Sequence, residues 1–417
     1  MELNTLTQLL NIQGYKVVEV ISTTEEDIHL RLEAYKRNKA VCSGCGEIHE
    51  EGYHSEKEVI VEDLPLSDRR VYLHIKKRLY RCPKDGRIYV EKIDWTKKGI
   101  RVSYRFAIQV NRLTAITTNQ EAGWYLGLDD EVVYRIDKKM LEEQAKEKLN
   151  PIPPAIHLSI DEVSYRKYYR YLTNVIDTDI KLVIWNEKGR KSEVLNKYYE
   201  GIGEENCKKI DSVAMDGAKH YISSTSKYAV NALIVYDKFH VMQKLNQTVD
   251  RVRKDELEKA REEGNEELVE LTNCKQRFIL LKNKKNLSEK QEEYLKKLCQ
   301  INEPIYKAML LKESFLEVYS CKNEKEGEEC LKNWIKQALS SGLTPFIELG
   351  HKFTEKMRYI LNWFIRKISS AISEGFNNKI KRLKRMAYGY KDIEYFKLKI
   401  HQHCGLLNPR LKLKLNT

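Results

Sequence analysis

Apolar and polar residues alternate in short runs over the first ninety or so residues, which is the pattern of half-buried β-strands. Residues 15–36 hold two such runs, YKVVEVIS and DIHLRLEAYK, which predict a β-hairpin. The segments VEDLP and RRVYLHIKKRLYRC continue the pattern between polar turns. We therefore expect residues 1–95 to form a small β module with too little apolar surface for a large core of its own.

The apolar period becomes helical between about residues 103 and 149. RFAIQVNRLTAIT, TNQEAGWYLGL and DDEVVYRIDKKMLEEQAKEKL each fit one helix, with a break at Gly127, and Trp124 is expected to fill the helical core. Three short helices with a tight turn predict a helix-turn-helix over residues 100–150, and an ordinary helical bundle is the alternative. The prolines of residues 150–154 end the last helix and predict a linker, because proline lacks an amide donor.

Strand-like runs return after the linker. AIHLSIDEVSYR, YRYLTNVIDTD and KLVIWNEKGR predict an antiparallel meander, and SEVLNKYYEGI, KIDSVAMD, HYISSTSKYAVN and ALIVYD then alternate helix with strand. This order indicates an α/β sheet over residues 155–240. Residues 241–365 predict only charged amphipathic helices, with Trp334 in their core, as an insertion or a separate bundle. Residues 366–417 add a last helix and a basic tail.

Composition favours several folded domains and a polyanionic partner. The chain has 417 residues, of which 41% are hydrophobic, so wholesale disorder is excluded. Lys and Arg number 74 against 61 Asp and Glu, and this net charge of +13 favours nucleic acid without deciding the matter. No apolar run has the length of a membrane helix, and the first residues lack a signal-peptide pattern. We therefore expect a cytoplasmic protein with reduced cysteines and no membrane partner.

One pair of cysteines has the spacing of a zinc half-site. Cys42 and Cys45 form a C-x-x-C, whose thiolates can share one tetrahedral ion, and Cys82 offers a third thiolate. Asp85 stands where a second C-x-x-C would place its last ligand, and a finger that folds without metal stays open. Other candidates for the fourth ligand are nearby histidines: His49, His54 and His74.

Three carboxylates from distant segments could form a second metal site. Asp161 ends HLSID and Asp216 ends VAMD, so both lie where a predicted strand meets a turn. Glu374 begins SEGFNNKIKRLKRMAYGYK, and a helical wheel sets it on the polar face, opposite an apolar one. Brought together, the three would be hard oxygen ligands for Mg²⁺ or Mn²⁺. Spacing alone does not separate this site from ordinary turn and cap residues.

Further polar residues accompany these carboxylates. Asp237 and His240 in YDKFHV could support the site or contact DNA, and a structural pair is the alternative. The helix that begins at Glu374 carries cations that predict phosphate contacts, unless they form a merely solvated face. The predicted DNA-contacting residues of this helix are Asn378, Lys381, Arg382, Lys384 and Arg385.

Several of these segments resemble the ISL-three family of insertion-sequence transposases, which carry a DDE catalytic triad on a ribonuclease-H-like fold. They are IDEVSYRK, VAMDGAKHYI, YDKFHVMQKLNQTVDRVR and SEGFNNKIKRLKRMAYGYK, with EDLP and CSGCG…RLYRC upstream. The resemblance implies a multidomain α/β protein. Its parts would be a zinc-finger-like DNA-binding module, a helix-turn-helix, and a ribonuclease-H-like catalytic domain split by a helical insertion.

The resemblance also implies a function. Asp161, Asp216 and Glu374 would be the triad, and two Mg²⁺ or Mn²⁺ held there would serve DNA cleavage and attack of the new 3′-hydroxyl on target DNA. The N-terminal modules would bind terminal inverted repeats, and a synapse of two ends implies a dimer or higher oligomer. One rival is a non-catalytic regulator derived from a transposase, against which the complete triad argues. Another is a nuclease or repair enzyme, which would not need the upstream modules.

Overall fold

The computed structural model describes residues 2–97, 99–166, 170–273, 276–282, 286–367 and 371–411. The chain divides into two compact units. The first includes Met1–Glu147 together with Glu394–His403, and the second includes Lys148–Ile393. No helix in the described ranges is long and apolar enough to cross a membrane.

The first unit begins with a helix and a β-sheet. Its described elements up to residue 92 are α1 (Leu3–Leu10), β1 (Tyr15–Thr23), β2 (Asp27–Ala34), β3 (Val41–Cys42), β4 (Tyr53–Leu66), β5 (Arg69–Arg81) and β6 (Ile88–Lys92). The sheet order is β1-β2-β5-β6-β3, with β4 paired to β5. The predicted hairpin is confirmed, because β1 and β2 pair antiparallel. Alternate apolar residues such as Leu30 and Leu73 form the core.

Three helices follow, as predicted: α2 (Tyr104–Thr114), α3 (Asn119–Leu126) and α4 (Asp130–Lys148). The prediction for Trp124 is wrong, since its surface is 85% exposed. The buried face of α3 consists of Ala122 and Gly123. A Cβ on Gly123 would lie 2.5 Å from the carbonyl oxygen of Leu128, so the backbones are in close approach there. A face this tight admits only small residues, and the bulky Trp124 points to solvent.

The second unit begins with an α/β sheet. Its described elements up to residue 236 are β7 (His157–Arg166), β8 (Arg170–Asp177), β9 (Leu182–Lys188), α5 (Ser192–Ile202), α6 (Glu204–Lys208), β10 (Ser212–Met215), α7 (Lys219–Tyr228) and β11 (Leu233–Tyr236). The strand order is β11-β10-β7-β8-β9. Strands β7 to β9 form the predicted antiparallel meander, and β10 runs parallel to both β7 and β11. Tyr198 and Tyr199 of α5 are fully buried in the core on this sheet.

Helices make up the rest of the second unit. They are α8 (Lys238–Glu262), α9 (Glu266–Thr272), α10 (Arg277–Leu281), α11 (Glu289–Ile301), α12 (Glu303–Val318), α13 (Glu324–Leu339), α14 (Thr344–Glu355), α15 (Met357–Ile365) and α16 (Ala371–Met386). The described part of residues 241–365 contains no strand, as predicted. Trp334 packs against Phe315 and Phe353 in the helical core, and its indole Nε1–H donates to the Leu311 carbonyl at 2.7 Å, so the prediction for Trp334 is confirmed.

The last described helix, α17 (Ile393–Cys404), lies mostly in a different unit from the one that the sequence predicts. The sequence predicts residues 366–417 as one part of the catalytic core, whereas Glu394–His403 belong to the first unit. The reason is a buried ion pair between Lys399 and Asp137 of α4, whose N···O distance is 3.2 Å. Tyr395 Oη donates to the same carboxylate at 2.6 Å. A buried carboxylate needs such partners, and sequence periodicity does not reveal them.

Candidate active site and metal centre

Two of the predicted carboxylates lie side by side where the parallel part of the sheet ends. Asp216 follows the last residue of β10, as predicted. Asp161 is not at a strand end as predicted, because β7 continues beyond it in its pairing with β8. The parallel register pairs Ala214 with Ser159, so the same register, continued by two residues, sets Asp216 level with Asp161. Adjacent strands are about 4.8 Å apart, which places both side chains at one location.

Asp237 and His240 border this pair. Tyr236 pairs with Met215 in the parallel register, so Asp237 lies level with Asp216 on the next strand. Asp237 caps α8 by accepting from the Phe239 amide at 2.9 Å. The first turn of α8 then places His240 Nε2 at 3.6 Å from Asp237 Oδ2 and 3.9 Å from Asp161 Oδ2.

The charge of these aspartates acts on His240. Burial lowers the pKa of its imidazole, but the neighbouring carboxylates of Asp161, Asp237 and Asp216 outweigh burial and raise it. The imidazole thus borders these carboxylates from the α8 side.

Glu162 is a further acid near Asp216, on the face of β7 opposite Asp161, that the sequence reasoning missed. Burial raises its pKa to about 7, and the charges of Asp216 and Asp161 add to this against an opposing hydrogen bond from Tyr221. His220 Nε2 lies 3.5 Å from its carboxylate. The only signal in the sequence is that Glu162 adjoins Asp161, which is too common an arrangement to single it out.

Helix α16 carries Glu374 and packs on β7. The buried hydroxyls of Ser373 and Ser159 hydrogen-bond at 2.5 Å, and Asn377 Nδ2 donates to Asp161 Oδ2 at 2.7 Å. Glu374 itself is exposed. Among the described residues, a single group of three or more acidic, cysteine or histidine side chains has ligand atoms all within 4.8 Å, and it is not this one. The structure therefore brings α16 to Asp161 without closing Glu374 onto both aspartates.

The predicted cations lie along the outer part of α16. Lys384 Nζ donates to the Ser164 carbonyl of β7 at 3.1 Å, which fixes the C-terminal half of the helix on the same strand. This leaves an exposed polar row after Glu374. Its members are Asn378, Lys381, Arg382 and Arg385.

The group with ligand geometry is in the β module. Cys42, Cys45, His49 and Cys82 place one ligand atom each within 4.8 Å of all the others. Cys45 Sγ and His49 Nε2 are 3.1 Å apart. Burial raises the pKa of Cys42, but the backbone amides of Cys45 and Gly44 outweigh it, so the net pKa is lowered. Three sulfurs and one imidazole at these separations fit a tetrahedral zinc ion.

Two matching turns present the cysteines. The amide of Gly46 donates to the Cys42 carbonyl at 2.9 Å, and the amide of Gly86 donates to the Cys82 carbonyl at 2.8 Å. Asp85 therefore occupies, in the second turn, the position that Cys45 has in the first. His49 completes the group of four in its place.

Asp85 is used differently from its expected role as fourth ligand. It accepts from Tyr89 Oη at 2.7 Å and from the Arg87 amide at 3.0 Å, and these bonds lower its pKa. His54 and His74 also lie outside the group of four ligand residues found among the described residues. Sequence spacing offered His49 as one of several candidates, and only the folded turn selects it.

The chain holds two level aspartates on its α/β sheet and a Cys/His group with zinc-ligand geometry, and comparison with known proteins gives its class and family. A family model described as a transposase matches residues 158–400, and one described as the zinc-finger of the IS204/IS1001/IS1096/IS1165 transposases matches residues 38–85. The IS1001 transposase of Bordetella parapertussis is 30% identical over 403 residues, covering 93% of this chain and 95% of that protein. The IS1557 transposase of Mycobacterium tuberculosis is 25% identical over 341 residues, covering 77% and 76%.

The chain therefore belongs to the ISL-three family of DDE transposases, and the resemblance seen in the sequence is confirmed. It is an enzyme with transposase activity that acts on DNA, and its family implies the use of divalent metal ions. Asp161, Asp216 and Glu374 lie within the matched transposase region. The cysteine and histidine ligands lie within the matched zinc-finger region.

Proposed function

We propose that this transposase binds the terminal inverted repeats of an insertion sequence and catalyses metal-dependent DNA cleavage and strand transfer. The observation that carries the proposal is the level placement of Asp161 and Asp216 on neighbouring parallel strands, with Glu374 on a helix hydrogen-bonded to the first of them. The five-stranded sheet, with three antiparallel strands and two further parallel ones, supports a ribonuclease-H-like catalytic core. That core would be formed by residues 155–240 and the α16 helix, with 241–365 as the insertion.

The two level aspartates fit Mg²⁺ or Mn²⁺. Asp161 and Asp216 lie level on neighbouring parallel strands, and a divalent cation between them would relieve the repulsion of their carboxylates. Asp161, Asp216 and Glu374 would hold two such ions. When bound, the ions would supply an activated water and stabilise charge on the scissile phosphate. Glu374, exposed in this structure, would complete the ligand set from α16.

The chain's own residues would orient the DNA and the ligands. His240, between Asp237 and Asp161, would restrain the first ligand. The exposed row of α16 would contact phosphates on both sides of the cleaved bond, because cations that follow a metal ligand along one helix meet the same DNA backbone. The proposed contacts of this row are from Asn378, Lys381, Arg382 and Arg385, while Lys384, whose Nζ donates to the Ser164 carbonyl, would hold the helix on β7.

The N-terminal modules would recognise the element ends. We assign zinc to Cys42, Cys45, His49 and Cys82, which would tie together the two turns of a β module that has little core of its own. Helices α2 to α4 would act as a helix-turn-helix over residues 100–150. Two bound ends require at least a dimer on DNA.

Cleavage of an end duplex tests the proposal. Purified full-length protein with Mg²⁺ is expected to nick DNA at the element boundary. Asp161→Asn, Asp216→Asn and Glu374→Gln should each abolish the nick while leaving end-DNA binding within about twofold, since each removes a metal-ligand charge and no phosphate contact. A variant that cleaves like wild type would remove its residue from the triad. Specific binding with no cleavage by the wild-type protein would favour the regulator instead.

A further inference from the structure

Both carboxylate oxygens of Asp161 accept a hydrogen bond. The Glu162 amide donates to Oδ1 at 2.7 Å, and Asn377 Nδ2 donates to Oδ2 at 2.7 Å. The Asp161 side chain is 12% exposed, so water competes little for these bonds. Each oxygen keeps one lone pair for a further partner. The orientation of Asp161 is thus set by one local donor and by one donor from a segment 216 residues away.

The distant donor belongs to the helix that carries Glu374. Asn377 follows Glu374 by three residues, and residues at this spacing are neighbours on one helix face. The buried Ser373–Ser159 hydrogen bond holds the same turn of α16 on β7. Asn377 therefore joins Asp161 to the turn of α16 that carries Glu374, and its bond to Asp161 forms only when α16 is docked.

We propose that Asn377 is a positioning residue of the active site, which orients Asp161 for metal binding and links that orientation to the docking of the Glu374 helix. The inference rests on the proposed function. An amide suits this role because it donates without adding a negative charge beside Asp161 and Asp216. Partners that orient metal ligands commonly contribute 10- to 100-fold in metal affinity or activity.

The test measures metal binding as well as cleavage in the full-length protein. Mn²⁺ affinity is determined by titration calorimetry without DNA, and the Mn²⁺ concentration for half-maximal cleavage is determined with an end duplex. Asn377→Ala should weaken both by about 10-fold. Asn377→Leu keeps the side-chain volume without the donor and should behave alike, which preserves the test if the alanine variant fails to fold.

Asn362→Leu is the matched control. It removes the amide donor of another buried asparagine, which bonds from α15 to the Ile234 carbonyl of β11 at 2.7 Å, and it leaves both partners of Asp161, so it should lower thermal stability and leave Mn²⁺ affinity at the wild-type value. If the Asn377 variants bind Mn²⁺ like Asn362→Leu, the positioning role is overturned. Asp161→Asn is the reference for the proposed function. If that variant binds Mn²⁺ like wild type, the proposed metal site fails first and the role of Asn377 fails with it.

Discussion

At the scale of single residues, the fourth zinc ligand is either His49 or Asp85, and sequence spacing does not show which of the two binds the ion. His49→Ala should reduce bound zinc from one ion per chain to substoichiometric, because a structural site needs four ligands. Asp85→Ala should retain one ion, since Asp85 bonds to Tyr89 and the Arg87 amide. Native mass spectrometry of the intact chain measures both.

The pair of variants separates the two assignments cleanly. Loss of zinc from Asp85→Ala with retention by His49→Ala would restore the sequence expectation, and a wild-type chain that carries no zinc would contradict the metal site itself. Cys82→Ser is the positive control for loss of zinc, because Cys82 is buried and is a zinc ligand under either assignment.

At the scale of elements, Trp124 and Trp334 give opposite predictions for stability, although the sequence places both in helical cores. Trp334→Ala should lower the free energy of unfolding of the second unit by about 3–5 kcal/mol, because a fully packed aromatic leaves a cavity. Trp124→Ala should change stability by less than about 0.5 kcal/mol, since Trp124 is 85% exposed. Calorimetric unfolding of both variants checks this, and a large loss for Trp124→Ala would mean that α3 packs differently.

Element patterns explain what the sequence could and could not predict. Periodicity predicted the β1–β2 hairpin, the three helices and the meander, because burial of one face is a local property. It placed Asp216 correctly at a strand end but was wrong for Asp161, which lies within β7, and the parallel register brings the two level. The prediction for Trp124 was wrong because helical periodicity does not show how closely the backbones approach. The buried face of α3 lies so near the Leu128 carbonyl that position 123 has room only for glycine.

Long-range partners were beyond the sequence. Asn377 meets Asp161 only because α16 packs on β7, whereas the sequence pointed to its neighbour Asn378 as a DNA contact. Lys399 was not singled out by the sequence, yet it is buried with Asp137. In each case the side chain's role depends on a residue hundreds of positions away or in another element, and no local pattern carries that information.

At the scale of the whole molecule, the first unit is built from both ends of the chain. Asp137 is fully buried and bonds to Lys399 and Tyr395, while Lys399 Nζ also donates to the Thr114 carbonyl at 2.7 Å. Burial lowers the pKa of Lys399 against the opposing charge of Asp137. The helix that follows α16 is therefore a structural part of the unit that holds the zinc-finger-like module, and truncation after the proline linker removes it.

A fragment of residues 1–147 should accordingly be less stable than the same unit in the intact chain by about 3–5 kcal/mol, because Asp137 would lose its cation and keep only the neutral donors Asn111 and Thr114. Adding a peptide of residues 393–411 should restore cooperative thermal unfolding, monitored by circular dichroism, and should restore binding to an end duplex if this unit recognises DNA. The same peptide with Lys399→Met should fail, since it supplies the helix without the charge. A fragment as stable alone as with the peptide would show that α17 only rests on the unit and that its ion pair contributes little to folding.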